Sequence, residues 1–408
     1  MPPQPRSLNP FRVLVAHRNF RLFWIGQTVS LIGTWMQQVG QGWLALQLSN
    51  SAFIVGLVAA AGNLPVLLFS LYAGVLIDRR DKLKLVTIAQ VLLSIEAGVL
   101  WWAVWSGRIT ISLLVILSAI NGLISAIEIP ARQSLIVELV NRDDIVDAVA
   151  LNSGGFNLAR IIGPSIAAAV IASAGLAWCF GINALSYIAV IGCLLAIKLP
   201  KFVPSVRPVA PLEDFKEGIS YIRSRREITG LMGVIAVYAI FGFQYITLMP
   251  VIARDVLNTD ASGYGLLVTF VGLGAVSGAL TLAALGSRIR RGKLFMTSAI
   301  TFASLTILFS FVNVRPVAAG VLLFLGFTML INGALANGIL QSSVPDELRG
   351  RVMAAYVFVY VGFGPIGSLI AGAVARATSV QWAIGIGGVV MLMYALWAFW
   401  KFPELRRV

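Results

Sequence analysis

The chain has 408 residues, of which 58% are hydrophobic and only 12% charged, and its mean hydropathy is +0.88. Soluble chains run about half apolar and about a quarter charged, so the main solvent here is lipid. That excludes a soluble enzyme, a disordered protein and a disulfide scaffold. The net charge is +14 and the pI about 10.3, and the placement of that charge decides its meaning.

The segment from Met1 to Arg18 has four prolines and no apolar run, so it is not read as a signal peptide. Twelve apolar runs follow, near 20–48, 52–77, 85–105, 111–139, 146–174, 177–198, 228–254, 262–287, 292–312, 315–342, 348–374 and 381–401. Each meets the roughly 20 residues a membrane-spanning helix needs. They are too long and continuous for barrel strands.

In span one, Gln27, Ser30, Thr34, Gln37 and Gln41 recur at spacings 3, 4, 3, 4, which puts them on one helix face. Spans two and three are joined by Gly74-Val-Leu-Ile-Asp78-Arg79-Arg80-Asp81-Lys82, and span three holds Glu96. Span four repeats the 3, 4, 3, 4 spacing with Ser118, Asn121, Ser125, Glu128 and Arg132. Two such stripes on apolar helices imply a shared wet surface, because polar groups inside spans are costly. Span five carries Ala159-Arg160-Ile-Ile-Gly163-Pro164. Its small residues permit close helix packing, and Pro164 can bend it. Cys179 and Cys193 fall in span six and read as packing residues.

The longest loop, Pro200 to Glu227, separates six spans from six. Leu212, Phe215, Ile219 and Ile222 at helical spacing within it predict a short amphipathic helix at the membrane interface. The expected organisation is a bundle at 1–199, a linker at 200–227 and a second bundle at 228–408. Span seven carries Tyr238, Phe241, Gln244 and Tyr245; span ten carries Thr328, Asn332, Asn337 and Gln341. Neither has a mid-span carboxylate. Their aromatic and amide groups fit either the wall of a cavity for a bulky amphiphile or ordinary packing. Val344-Pro-Asp-Glu-Leu before span eleven echoes Val140-Asn-Arg-Asp-Asp-Ile before span five, and Gly364-Pro365 echoes Gly163-Pro164. Parallel six-helix repeats are a transporter architecture with the substrate site between them.

Of the 31 Lys and Arg residues, 25 fall on one side of this weave. Arg108, Arg254, Arg315 and Arg376 fall on the other, and Arg132 and Arg160 lie within spans. The positive-inside rule then puts both termini in the cytoplasm. The basic pI is topology, and no nucleic-acid partner is expected.

The loop around Asp78 resembles the Gly-x-Leu-x-Asp-Arg-x-Gly-Arg signature of the major facilitator superfamily, with Asp81 where a Gly is usual. The Gly163-Pro164 span is similar to the superfamily's antiporter motif, with Ala at three of the Gly positions. Gly33-Thr-Trp35-Met-Gln37, Gly42-Trp43-Leu, Pro130-Ala-Arg132-Gln133-Ser, Asn157-Leu-Ala-Arg160 and Val344-Pro-Asp-Glu-Leu-Arg349-Gly-Arg351 resemble one efflux subgroup. That subgroup includes the enterobactin exporter, macrolide efflux pumps and transmembrane secretion effectors.

The resemblance implies an all-α membrane protein of twelve helices in two six-helix halves, working as a monomer in the cytoplasmic membrane. It implies that spans one, four, seven and ten line a central cavity. The expected cavity residues are Gln27, Ser30, Thr34, Gln37, Gln41, Asn121, Ser125, Tyr238, Gln244, Tyr245, Asn332 and Asn337. Gly74, Asp78, Arg79, Gly163 and Pro164 are the expected conformational gate. Candidates for proton coupling are Glu128, Arg132, Arg160 and Glu96. Glu128 and Arg132, at i and i+4, can pair. That pair reads either as a structural salt bridge or as a carboxylate whose proton affinity changes as Arg132 moves.

The G-x-G-x-x-G at Gly362 to Gly367 sits in an apolar helix without a preceding strand, so it is not a dinucleotide site. Gly286 to Lys293 lacks P-loop spacing, His17 is the only histidine and precedes span one, and no Cys/His cluster has metal spacing. No cofactor, metal or enzymatic activity is expected. The reading is a secondary efflux transporter exchanging protons for a bulky drug or siderophore. A uniporter or an amphiphile flippase of the same fold is the alternative, and a non-transporting scaffold the third.

Overall fold

The structure is a computed structural model that describes residues 11–200, 211–285 and 290–407. It leaves out the side chains at 70–72, 74, 75, 78, 211, 212, 214 and 407. The gate candidates Gly74 and Asp78 therefore lie outside the described side chains, although the backbone there is helical.

A short α1 (Arg12–Ala16) leads into α2 (Arg18–Ser49), α3 (Ala52–Asp78), α4 (Lys82–Trp105), α5 (Ile111–Ile136), α6 (Ile145–Ala174) and α7 (Ala177–Leu195). Then follow α8 (Pro211–Ser224) and a broken seventh span: α9 (Arg226–Phe241), α10 (Gln244–Thr247), α11 (Met249–Val251) and a π-turn at Ile252–Val256. The remainder is α12 (Ala261–Leu285), α13 (Arg291–Ser310), α14 (Arg315–Ser343), α15 (Asp346–Gly362), α16 (Gly364–Ala377) and α17 (Val380–Lys401). Eleven segments among the described residues are long and apolar enough to cross a membrane. The twelfth is α2, the longest helix at 32 residues, whose polar stripe lowers its hydropathy.

Loop chemistry sets several helix starts. Asp81 caps α4, its carboxylate accepting from the Lys84 amide at 3.1 Å. Lys82 pairs with Glu138 at the end of α5. The acidic residue that departs from the superfamily loop pattern is thus the one that caps the next helix. Asp260 does the same for α12, accepting from the Ser262 hydroxyl at 2.6 Å and the Gly263 amide at 2.9 Å. Those bonds, the hydroxyl first, hold its carboxyl below its ordinary range. A depressed folded-state value means that the cap's stability is present above the ordinary carboxylate range and is lost as pH falls through the lowered value. Asp260→Ala should therefore cost about 1 kcal/mol or less at neutral pH. In thermal unfolding of the two proteins the difference should close under acid; a pH-independent difference would refute the cap.

Within α2–α7 the broadest pairing is α3 with α5, and within α9–α17 it is α12 with α14. These are spans two and four, then eight and ten. Both crossings are backbone-close: a Cβ on Gly122 would strike the Gly62 carbonyl, and one on Gly274 would strike that of Leu323. The amphipathic α8 does not lie free at an interface. It packs on α15, with Phe215 edge-on to Phe358 at 5.2 Å and Glu217 paired to Arg351 at 2.6 Å.

The two groups meet mainly through α6 on α12 and α3 on α16. Every hydrogen bond described across this seam lies away from the basic loops. Ser165 meets Thr269 at 2.9 Å, and Arg254 donates to Asn50 at 2.6 Å. Trp43 stacks on Tyr264 at the same end, with ring centroids 6.1 Å apart. Toward the basic end, α6 still meets α12 at Ile161 and Arg160, where a Cβ on Gly272 would lie 3.1 Å from the Ile161 Cα and 3.3 Å from the Arg160 carbonyl, and the face continues as half-buried Asn157 and exposed Ser153. The hydrogen bonds described across the seam therefore cluster away from the basic loops.

Candidate functional site

The stripe on α2 turns into its own group of helices. Ser30, Gln27 and Gln37 are all buried. The Ser30 hydroxyl meets Gln90 of α4 at 3.5 Å, and Gln90 Nε2 donates to Glu128 Oε1 at 3.1 Å. Arg132 Nε donates to the same oxygen at 2.9 Å, with both side chains under a tenth exposed. This chain of bonds ties span one, through span three, to the ion pair of span four.

A second network lies one to two turns further from the basic end. Gln37 Nε2 donates to the Glu96 carboxylate at 3.2 Å, and Asn121 Nδ2 of α5 donates to it at 3.1 Å. Gln37 Oε1 in turn accepts from Asn183 of α7 at 2.7 Å, and Ser186 donates to the Asn183 amide oxygen at 3.0 Å. Thr34 meets the Tyr187 hydroxyl at 3.1 Å. Among the described residues no cation contacts Glu96; its donors are amides from two helices. A Cβ on Gly33 would strike the Asn183 and Ser186 side chains, so that glycine lets α2 approach the network.

Sequence reasoning missed Gln90, Asn183, Ser186 and Tyr187. The signal was present: Gln90 precedes Glu96 in an apolar span, and Asn183, Ser186 and Tyr187 share one face of span six. Gln41 keeps a buried, unpartnered Nε2, and Ser125 is half-buried.

In the second group, Tyr238 and Asn332 come together in an aromatic cleft with Phe243, Phe302, Met329 and Tyr360. The Tyr238 hydroxyl donates to the Ala299 carbonyl. Asn332 donates toward the Phe295 carbonyl and the Ser298 hydroxyl, both at 3.4 Å. Tyr245 is not at the cleft surface. It is buried edge-on to Phe302 and Phe309, with its hydroxyl 3.8 Å from Met329 sulfur. Gln244 bonds back to the Ile240 carbonyl at 2.9 Å, leaving its oxygen buried and unpartnered. Asn337 accepts from Gln341 at 2.6 Å near the basic end.

Of the gate candidates, Gly163 sits against α2, where a Cβ would lie 2.9 Å from the Ile32 carbonyl. The Pro164 carbonyl lies 2.9 Å from where a Gly265 Cβ would stand on α12. This short motif therefore positions α6 between its own group and the seam. Arg79 is exposed at the end of α3. Arg160 is not brought to Glu128. It lies within electrostatic reach of Tyr245 and Tyr360 across the seam. No group of metal-binding side chains occurs among the described residues.

Twelve spans among the described residues, buried polar networks in one group and an aromatic cleft in the other define a membrane transporter. The chain matches the transmembrane secretion effector family over residues 6–407 and belongs to it. A staphyloferrin A transporter from Staphylococcus aureus strain NCTC 8325 is 26% identical over 379 residues, covering 90% of this chain and 92% of its own. The multidrug efflux pump Tap of Mycolicibacterium fortuitum is 24% identical over 380 residues, covering 90% and 91%. A solved peptide transporter, POT, crystallised with alafosfalin, shares the fold at a TM-score of 0.77 and 12% identity, covering 98% of this chain and 99% of its own. The protein is a major facilitator transporter of an efflux family, integral to the inner membrane, and not an enzyme.

Proposed function

We propose that this transporter exports a bulky amphiphile, of the drug or siderophore class, in exchange for protons by alternating access. The observation that carries the reading is the buried Glu128–Arg132 pair. Ionisable groups inside a span are costly, and where they are kept they mark a pathway or relay. Gln90 and Ser30 connect the pair to α2, so its making and breaking can be felt between helices. Helices up to residue 199 and from residue 228 form the two moving units, with α8 strapped to the second. The basic loops face the cytoplasm, so both termini are cytoplasmic, and a seam hydrogen-bonded at the opposite end is the inward-facing state. Glu96, held by amides alone, is a second carboxylate for the same proton path. The working unit is a monomer in lipid.

The test is dye and macrolide movement in proteoliposomes with and without an imposed pH gradient. Gradient-driven accumulation that collapses with an uncoupler is expected. Equal flux with and without the gradient would overturn antiport and favour facilitated diffusion or lipid flipping.

A further inference from the structure

We propose that Arg160 anchors an anion site at the seam, so that the exported amphiphile carries an acidic group beside its aromatic body. This deepens the function proposed above and rests on it. Arg160 lies on the face of α6 that carries Ser153, Asn157 and Pro164, and it stands at the seam itself: a Cβ on Gly272 of α12 would lie 3.3 Å from its carbonyl oxygen.

Its Nη2 is buried and has no hydrogen-bond partner, and among the described residues no carboxylate contacts it. The other intramembrane charges are provided for: Arg132 is on Glu128, and Glu96 is on Gln37 and Asn121. Burying a guanidinium without a partner is unfavourable. A planar donor fork is, however, suited to carboxylate, catecholate or phosphate oxygens.

The ionisable groups that act electrostatically on Arg160 are phenols rather than carboxylates, namely Tyr245 and Tyr360. Tyr360 also forms a wall of the aromatic cleft. It stacks on Tyr356 at 5.6 Å, meets Phe243 edge-on at 5.4 Å, and shares that cleft with Tyr238 and Phe302. Tyr360 thus belongs both to the wall of the aromatic cleft and to the electrostatic environment of Arg160. A ligand with an acidic group a few bonds from a ring system engages both Arg160 and that cleft.

The experiment compares pyrenebutyrate with pyrenebutanol, which share a ring system and differ in the carboxylate. Binding is followed by tryptophan-to-pyrene energy transfer with the full chain in phosphatidylcholine nanodiscs. The wild type should bind the acid about tenfold more tightly than the alcohol, the margin of one charge-assisted pair. Arg160→Gln should erase that preference and leave alcohol binding unchanged, which also shows that the fold is intact. Arg160→Lys should retain part of the preference. Equal binding of both probes by the wild type, or an acid preference that survives in Arg160→Gln, would overturn the site.

Phosphatidylglycerol added to the discs separates two sources of the same chemistry. Displacement of the acid assigns the site to a lipid headgroup, and no displacement assigns it to a free amphiphilic acid; both support an anion site. Gradient-driven dye export without any acid preference removes this inference and leaves antiport standing. Acid preference without gradient-driven export does the reverse.

Discussion

Glu128→Gln should reduce gradient-driven export to the level seen without a gradient, while substrate binding remains measurable. The carboxylate oxygen Oε1 accepts from both Arg132 and Gln90. An amide keeps the shape and one acceptor but carries no exchangeable charge. The variant thus loses the proton cycle before it loses the helix contacts. A competing account makes the pair purely structural. Removing one partner of a buried ion pair costs about 3–5 kcal/mol, because the other charge is left alone. The two accounts separate in the double variant Glu128→Gln with Arg132→Gln, which removes both charges. If the pair is structural, thermal stability and export return together. If it couples protons, stability returns and gradient drive does not. Full gradient-driven export by Glu128→Gln itself would remove Glu128 from the mechanism. The readouts are accumulation in proteoliposomes under an imposed pH difference and unfolding temperature in detergent.

The helical architecture was legible because lipid imposes one strong rule, an apolar run of spanning length between charged loops. The span at 52–77 emerged as α3 (Ala52–Asp78) and that at 111–139 as α5 (Ile111–Ile136). The break in span seven was not legible. Its run at 228–254 is mostly apolar, with Gln244 its one amide, yet the helix ends at Phe241 and resumes in short pieces before a π-turn. Gly242 and Pro250 mark the places, but apolar periodicity carries no record of a helix interrupted inside a bundle. The polar stripes were legible as faces, not as destinations. Spacing places Gln27, Ser30 and Gln37 on one side of α2; it cannot say whether that side meets the seam or the neighbours in its own group. The partners Gln90 and Asn183 decide it, and they are solitary polar residues without a stripe of their own. Arg160 stood out by its cost alone, and only the seam geometry separates it from Glu128.

Gly56→Leu should abolish transport by keeping the end opposite the basic loops from closing. The crossing of α3 and α16 is reciprocal. A Cβ on Gly56 would run into the Ser368 carbonyl. One on Gly372 would lie 3.0 Å from the Ala52 carbonyl and 3.1 Å from the Phe53 Cα. Both obstacles are backbone, so no rotamer change relieves them. Overpacking of this kind costs about 1–3 kcal/mol, and each 1.4 kcal/mol is about tenfold in a conformational equilibrium. The cost falls only on the state in which this crossing is closed. A two-state transporter must then shift toward the state in which it is open and the basic end is shut. Spin labels at Ser153→Cys on α6 and Ser342→Cys on α14, in a background without Cys179 and Cys193, report that end. Their mean separation should shorten in Gly56→Leu relative to the parent. Gly98→Leu is the control, because a Cβ there meets nothing within 4 Å; it should leave both separation and flux unchanged. Lost transport with an unshifted separation would mean that Gly56 supports packing alone and that this crossing does not alternate.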